Sequence, residues 1–423
     1  MRENLLHFVW KLQLFSTKKI RSTKGEVIYI KSTGLENFNA GPDFLNAKIE
    51  INGQLWAGNV EIHVNSSDWY VHNHEIDENY DSVILHVVWE HDLEVFRKTN
   101  KPIATLELKN YIPKEVLLNY QQLFDEHKKW INCEKSISAV NKFLLFHWFE
   151  RLYFERLEKK SEQVNELLKT SNNNWEATLF TLLAKNFGLK TNGEAFIEFA
   201  KSFDFSIVRK VSHNKLQLEA LFFGQAGLLL NRCESTYFEV LKKEYAYLKI
   251  KYKLTPISKV HMRFFRLRPN NFPTIRLSQL ANLYHVYQHL FSEVIEIKTV
   301  EGFYELFNIS TSLFWESHYT FEKESKRSTK KFTKSFIDLL LINTIIPIKF
   351  IYLKSLGKLD FSELLTIVNT IKPEKNTIVS KFNSLNISSV DAFETQALLQ
   401  LRNEYCRKKL CLQCEIGKEI LRN

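Results

Sequence analysis

The sequence predicts an α+β protein: an N-terminal domain built on a mixed sheet, followed by a mainly α-helical domain. Three observations predict it. Short runs rich in β-branched residues crowd between residues 27 and 108, two of them joined by Asn52-Gly53. Beyond Pro113, apolar residues recur at helical spacing instead. Twelve glycines and eight prolines in 423 residues fall well below the usual combined share of about 12%, so regular elements should dominate over loops.

Leu5, Leu6, Phe8, Val9, Leu12 and Phe15 stand three and four apart, which predicts an amphipathic helix over residues 3–15. Strands are predicted at Val27–Ile30, Phe44–Ile51, Leu55–Val64, Val83–Trp89 and Ile103–Leu108. Asn52-Gly53 predicts a tight hairpin, because both residues tolerate positive φ. Helices are predicted at Lys114–His127, Val140–Lys169, Trp175–Asn186, Glu194–Ser202 and Leu216–Gly224. The expected domains are an α/β domain over 1–113, a helical linker over 114–138 and a helical domain over 139–423 that carries a cysteine-rich tail. The basic, Ser/Thr-rich stretch Glu322–Ser335 reads as an exposed loop.

A composition of 44% apolar, 13% aromatic and 25% charged residues excludes a disordered or collagen-like chain. The net charge of +10 favours a polyanionic partner. The most apolar stretch, Leu339–Leu353, is interrupted by Asn343, Thr344, Pro347 and Lys349, so no membrane span is expected. Met1-Arg2-Glu3-Asn4 is not the start of a signal peptide, and a cytoplasmic location is expected. Five cysteines are too few for a disulfide scaffold.

The densest polar cluster lies between Gly41 and His86. Alternation along the strand after Gly58 puts Asn59, Glu61 and His63 on one face and Val60, Ile62 and Val64 on the other. A half-buried strand carrying a carboxylate beside an imidazole needs a partner for them, because an uncompensated charge there costs several kcal/mol. The hairpin at Asn52-Gly53 folds Asp43 back beside Glu61. Paired acids with nearby water suit Mg²⁺ or Mn²⁺, which take oxygen ligands and can activate water for phosphodiester attack. Downstream, Asp68, His72, His74, Asp77, Asp81 and His86 offer imidazoles and carboxylates that suit a transition metal. We count His72 and His74 with Asp43 and Glu61 as candidate metal ligands, and Asp43, Glu61 and His63 as candidate catalytic residues.

Pro42-Asp43, seventeen residues, then Glu61-Ile62-His63 resembles the PD-(D/E)XK nuclease pattern. The resemblance implies a restriction-endonuclease-like αβββαβ core in which Asp43 and Glu61 hold a divalent metal. It places His63 where the family has the lysine that positions water. Glu3 takes the place of an additional acid found in some members. A second resemblance covers essentially the whole chain: GPDFLNAKI, GNVEIHVNSSDW, YDSVILHVVWEHD, RLRPNNFPTIRLSQLA and CLQCEIG are similar to a bacterial family of unknown function, which implies no activity.

Cys406, Cys411 and Cys414 form C-x4-C-x2-C, and Cys133 stands apart. Four thiolates can hold Zn²⁺ or an iron–sulfur cluster; the alternative is reduced thiols packed as small apolar groups. Arg263, Arg266, Arg268 and Arg276 interleave with aromatics between His261 and Arg276. They suit either phosphate contact with base stacking or structural pairing. Three functions follow as expectations. The first is a divalent-metal-dependent nuclease or nucleic-acid-processing protein. The second is a non-catalytic nucleic-acid-binding protein with a structural zinc or iron–sulfur site. The third is a His/Asp metal-dependent hydrolase of a small substrate.

Overall fold

The computed structural model describes residues 2–124, 129–257 and 262–422. The chain forms two compact units, one of residues 1–148, 384–387 and 401–423, the other of 149–383 and 388–400. The division differs from the expected one: residues 114–138 and the cysteine tail both belong to the first unit.

The first unit begins with helix α1 (Glu3–Leu12) and continues through strands β1 (Ile28–Ser32), β2 (Leu35–Glu36), β3 (Phe44–Ile51) and β4 (Gln54–Asn65). After the one-turn helix α2 (Asp68–Val71) come β5 (Val83–Glu90), β6 (Ala104–Glu107) and helix α3 (Lys114–Phe124). Residues 125–127 of the expected helix Lys114–His127, and His261 of the arginine-rich stretch, lie outside the described residues. The sheet runs β1-β3-β4-β5-β6, with β2 paired to β3. β1, β3 and β4 are antiparallel neighbours, while β4-β5 and β5-β6 are parallel. The sheet is therefore mixed, as expected.

Local chemistry explains the register. Asn52 (φ 49°) and Gly53 (φ 81°) make the left-handed turn that closes the β3-β4 hairpin. Asn46, also left-handed, sits where the β3-β4 register slips between Phe44 and Ala47. Its N–H donates to Asn59 Oδ1 at 3.1 Å, which fixes this bulge. Leu5, Leu6 and Val9 of α1 pack with Phe44, Ile49, Val60, Ile62, Leu85 and Val87 in one core, which Cys411 and Leu421 of the tail also enter. The opposite face of the sheet carries a smaller cluster of Trp69, Val83, Val95 and Ile103.

The second unit is helical. It holds most of α4 (Lys142–Thr170), then α5 (Trp175–Phe187), α6 (Leu189–Lys201), α7 (Phe205–Val211), α8 (Lys215–Gln225), α9 (Thr236–Tyr252) and α10 (Pro273–Val286), with further helices beyond. Asn174, Asp204 and Asn214 accept N–H bonds at the starts of α5, α7 and α8, a signal readable in the sequence. Phe180, Phe199 and Phe222 meet at its centre, ring to ring. Lys334–Ser355 is a 22-residue helical run apolar enough to cross a membrane, and 67% of its 18-residue apolar window is buried inside the protein. It is packed as a core helix. A π-turn over Leu341–Ile345 precedes Pro347, whose missing N–H disturbs the helical ladder. The stretch Glu322–Ser335 is mostly irregular, but Lys330 is buried, with its ammonium donating to the carbonyls of Trp315 and Glu316. That lysine anchors the segment rather than presenting charge to solvent.

Candidate metal centre

The centre is assembled on the β4-β5 face opposite the main core. Phe44 pairs with Val60, so Asp43 stands across from Glu61 at the mouth of the β3-β4 ladder. The Asp43 N–H donates to Glu61 Oε2 at 3.1 Å, and the Ile62 N–H donates to Asp43 Oδ2 at 2.9 Å. Each carboxylate thus caps the other residue's strand. Glu61 pairs with His86 in the parallel ladder, which places Glu61, His63 and His86 on one face. His63 Nδ1 lies 2.8 Å from His86 Nε2, and His63 Nε2 lies 3.1 Å from His72 Nδ1. The short helix α2 and the turn after it bring His72 and His74 over the strand.

His63, His72 and His74 each offer a ligand atom, all within 4.8 Å of one another. Glu61 Oε1 lies 3.5 Å from His63 Nε2 and 3.3 Å from His74 Nε2. His74 is at ion-pair distance from that carboxylate, yet neither of its ring nitrogens makes a hydrogen bond. Buried polar nitrogens without partners are rare, and the Nε2 that faces Glu61 could serve as a metal ligand. On the other side, His7 of α1 approaches Asp43 Oδ2 at 3.3 Å and Glu3 at 3.9 Å.

The electrostatics suit a cation. Burial, with the neighbouring Asp43 charge, raises the Glu61 carboxyl well above its usual range. Burial and the nearby His74 and His72 push His63 down to about 3, and burial drives His86 well below its usual value. Burial also lowers His74. For His7, burial opposes protonation, but the hydrogen bond and charge of Asp43 prevail and raise it. His63, His74 and His86 are therefore held as neutral imidazoles, which is the ligand form, beside a Glu61 carboxyl that burial keeps protonated until a cation replaces its proton. His63 can donate from Nδ1 to His86 Nε2, which leaves its Nε2 unprotonated and able either to accept from His72 Nδ1 or to bind a metal. Three imidazoles and a carboxylate suit Mn²⁺, Fe²⁺ or Zn²⁺ better than Mg²⁺, which prefers oxygen. His72 is exposed, so one side is open to solvent.

Sequence reasoning named Asp43, Glu61, His63, His72 and His74, and the structure brings all five together. It gave no role to His7, although Glu3 and His7 at i,i+4 on a predicted helix were a readable sign. His86 was counted only among the downstream candidates. Asp68 accepts from the Asn65 N–H, and Asp77 caps the turn at Glu78–Tyr80, so both are structural.

The remaining candidates divide. Arg263, Arg266 and Arg268 are exposed in the second unit. Arg276 is not a phosphate contact. It is 6% exposed, donates to Gln279 Oε1 at 2.9 Å and Asn271 Oδ1 at 2.7 Å, and its guanidinium lies 3.5 Å from the Phe336 ring centre. Burial pushes it down to about 9. The aromatic ring it meets, Phe336, is buried in the core. Cys133, Cys406, Cys411 and Cys414 are unbridged and line one small cavity of the first unit; Cys233 lies in the second.

Fold and site together define an α+β protein with a buried carboxylate–imidazole centre on a mixed sheet. The chain belongs to the family described as "Protein of unknown function (DUF2851)", which matches residues 3–377. That span contains every residue of the centre and stops short of the three tail cysteines. No curated protein and no solved structure matches the chain.

Proposed function

We propose that the protein is a metal-dependent phosphodiesterase acting on nucleic acid, with Glu61, His63, His72 and His74 as the metal ligands. The observation that carries this reading is the convergence of Asp43 and Glu61 with three imidazoles at one solvent-accessible point of the sheet. A divalent ion held there would polarise a phosphodiester and lower the pKa of water. Glu61 and His63 would hold such an ion from β4, with His72 and His74 as ligands from α2 and the turn after it. Asp43, oriented by the Ile62 N–H and His7, stands ready to hold a proton or a second oxygen contact beside the ion. The order helix, antiparallel strands, short helix, parallel strand supports a restriction-endonuclease-like reading of this unit. The basic excess and the exposed Arg263, Arg266 and Arg268 favour a polyanionic substrate.

The test is cleavage of labelled single- and double-stranded DNA and RNA with Mn²⁺, Zn²⁺ or Mg²⁺. Cutting should appear with Mn²⁺ and fall at least about 100-fold in Glu61→Ala and His72→Ala. Cutting that survives in both variants would refute the site. The imidazole-rich ligand set also favours a rival, hydrolysis of a small phosphoester. Metal-dependent turnover of such esters, with no nucleic-acid cleavage and no salt-sensitive DNA binding, would select it.

A further inference from the structure

The tail cysteines are unused by the proposed chemistry, and their surroundings are not those of spare thiols. Cys133 follows the sheet; Cys406, Cys411 and Cys414 return from the far end of the chain to the same first unit. All four line one cavity of the first unit. Cys411 and Cys414 are buried within the fold.

Burial raises the Cys414 and Cys411 thiols, against the lowering effect of the Ile416 and Gly417 backbone N–H groups near Cys414 and of the Asn132 side chain near Cys411. Donors aimed at a buried sulfur stabilise a thiolate, and a thiol packed as an apolar group has no need of them. Gly417 is dictated by the same geometry: a Cβ there would lie 2.1 Å from the Cys411 carbonyl oxygen. Only glycine lets the C-terminal helix Glu415–Arg422 approach the Cys411–Gln413 turn this closely. Upstream, Leu401–Cys406 is wound as a π-helix, a distortion common at functional sites.

We propose that Cys133, Cys406, Cys411 and Cys414 ligate an iron–sulfur cluster that staples the tail to the sheet unit. Two observations favour a cluster over one zinc ion. Zn–S bonds of about 2.3 Å put tetrahedral sulfurs about 3.8 Å apart. Among the described residues, the cysteines are not among the sets of three or more ligand atoms within 4.8 Å of one another. No three of the sulfurs therefore stand as close together as one zinc ion requires. The run C-x4-C-x2-C is also a spacing used by iron–sulfur proteins, with the fourth cysteine here preceding the run rather than following it.

The experiment is anaerobic purification of the full-length protein, followed by iron, zinc and acid-labile sulfide analysis and a visible absorption spectrum. Iron and sulfide in equal amounts, with charge-transfer absorption, are expected. Both should be lost in Cys406→Ser and Gly417→Ala but retained in Cys233→Ser and His72→Ala. Retention in His72→Ala separates this centre from the one on the sheet, so the two proposals stand or fall independently. One zinc per chain without sulfide would overturn the cluster, and no stoichiometric metal in the wild-type protein would overturn the centre altogether, whatever the folding of the variants.

Discussion

His86 is wholly buried, and its value to the protein lies in one bond. Its Nε2 lies 2.8 Å from His63 Nδ1, and its own Nδ1 has no partner. An imidazole that donates from Nδ1 has its Nε2 lone pair directed at the metal; without an acceptor, the proton can sit on either nitrogen and the ring can turn. His86→Phe keeps the volume and removes the acceptor. We expect Mn²⁺ or Zn²⁺ affinity, measured by titration calorimetry, to fall about 10- to 100-fold, with far-ultraviolet circular dichroism unchanged. Unchanged affinity would show that His63 is oriented by something else. Arg276 gives the opposite lesson at this scale. Arginine beside phenylalanine is compatible with a stacking surface or a packed core, and only burial distinguishes them.

Between elements, a buried carboxyl ties three segments of the second unit. Glu219 of α8 accepts from the Ser312 hydroxyl at 3.0 Å and from the Tyr237 hydroxyl of α9, and the Ser312 N–H donates to Ser278 of α10. Burial raises the Glu219 pKa above 4.5, against the lowering effect of those hydroxyl donors. An acid with a raised folded pKa is stabilised in its protonated form. That contribution is complete below the unfolded value and is lost as pH rises through the folded value. Glu219→Gln is uncharged and of similar shape, so it has no such window. The melting temperature of the wild-type protein should therefore fall relative to Glu219→Gln as pH rises from about 4.5 toward neutrality. A difference that stays flat across that range would mean the carboxyl does not titrate with folding.

At the scale of the whole molecule, what the sequence shows depends on how far apart the interacting residues lie along it. The strands and the Asn52-Gly53 hairpin were legible because β-branched runs and turn residues act locally. The pairing of Asp43 with Glu61 followed from that hairpin, and the place of His63 from alternation. The approach of α1 to Asp43 and the docking of the tail were not legible, because neither has a local signature. The amphipathic pattern of α1 tells that one face is buried, but not that His7 ends beside Asp43. Likewise, Cys411 and Leu421 sit in the same core as Leu5 and Val60, although nothing near residue 411 names that partner.

This closure makes a prediction about cooperativity. Removing residues 401–423 strips Cys411 and Leu421 from the first core and opens its face toward α3 (Lys114–Phe124), while the Phe180, Phe199 and Phe222 cluster keeps its neighbours. Loss of one buried leucine alone costs about 2–5 kcal/mol, a large part of a domain's total stability. Amide hydrogen exchange should therefore speed up in α1, α3 and β4 and stay slow in α5 and α8. Exchange that instead rises in α5 and α8, with the sheet still protected, would assign the tail to the helical unit and undo the view that the chain closes its first unit with its last residues.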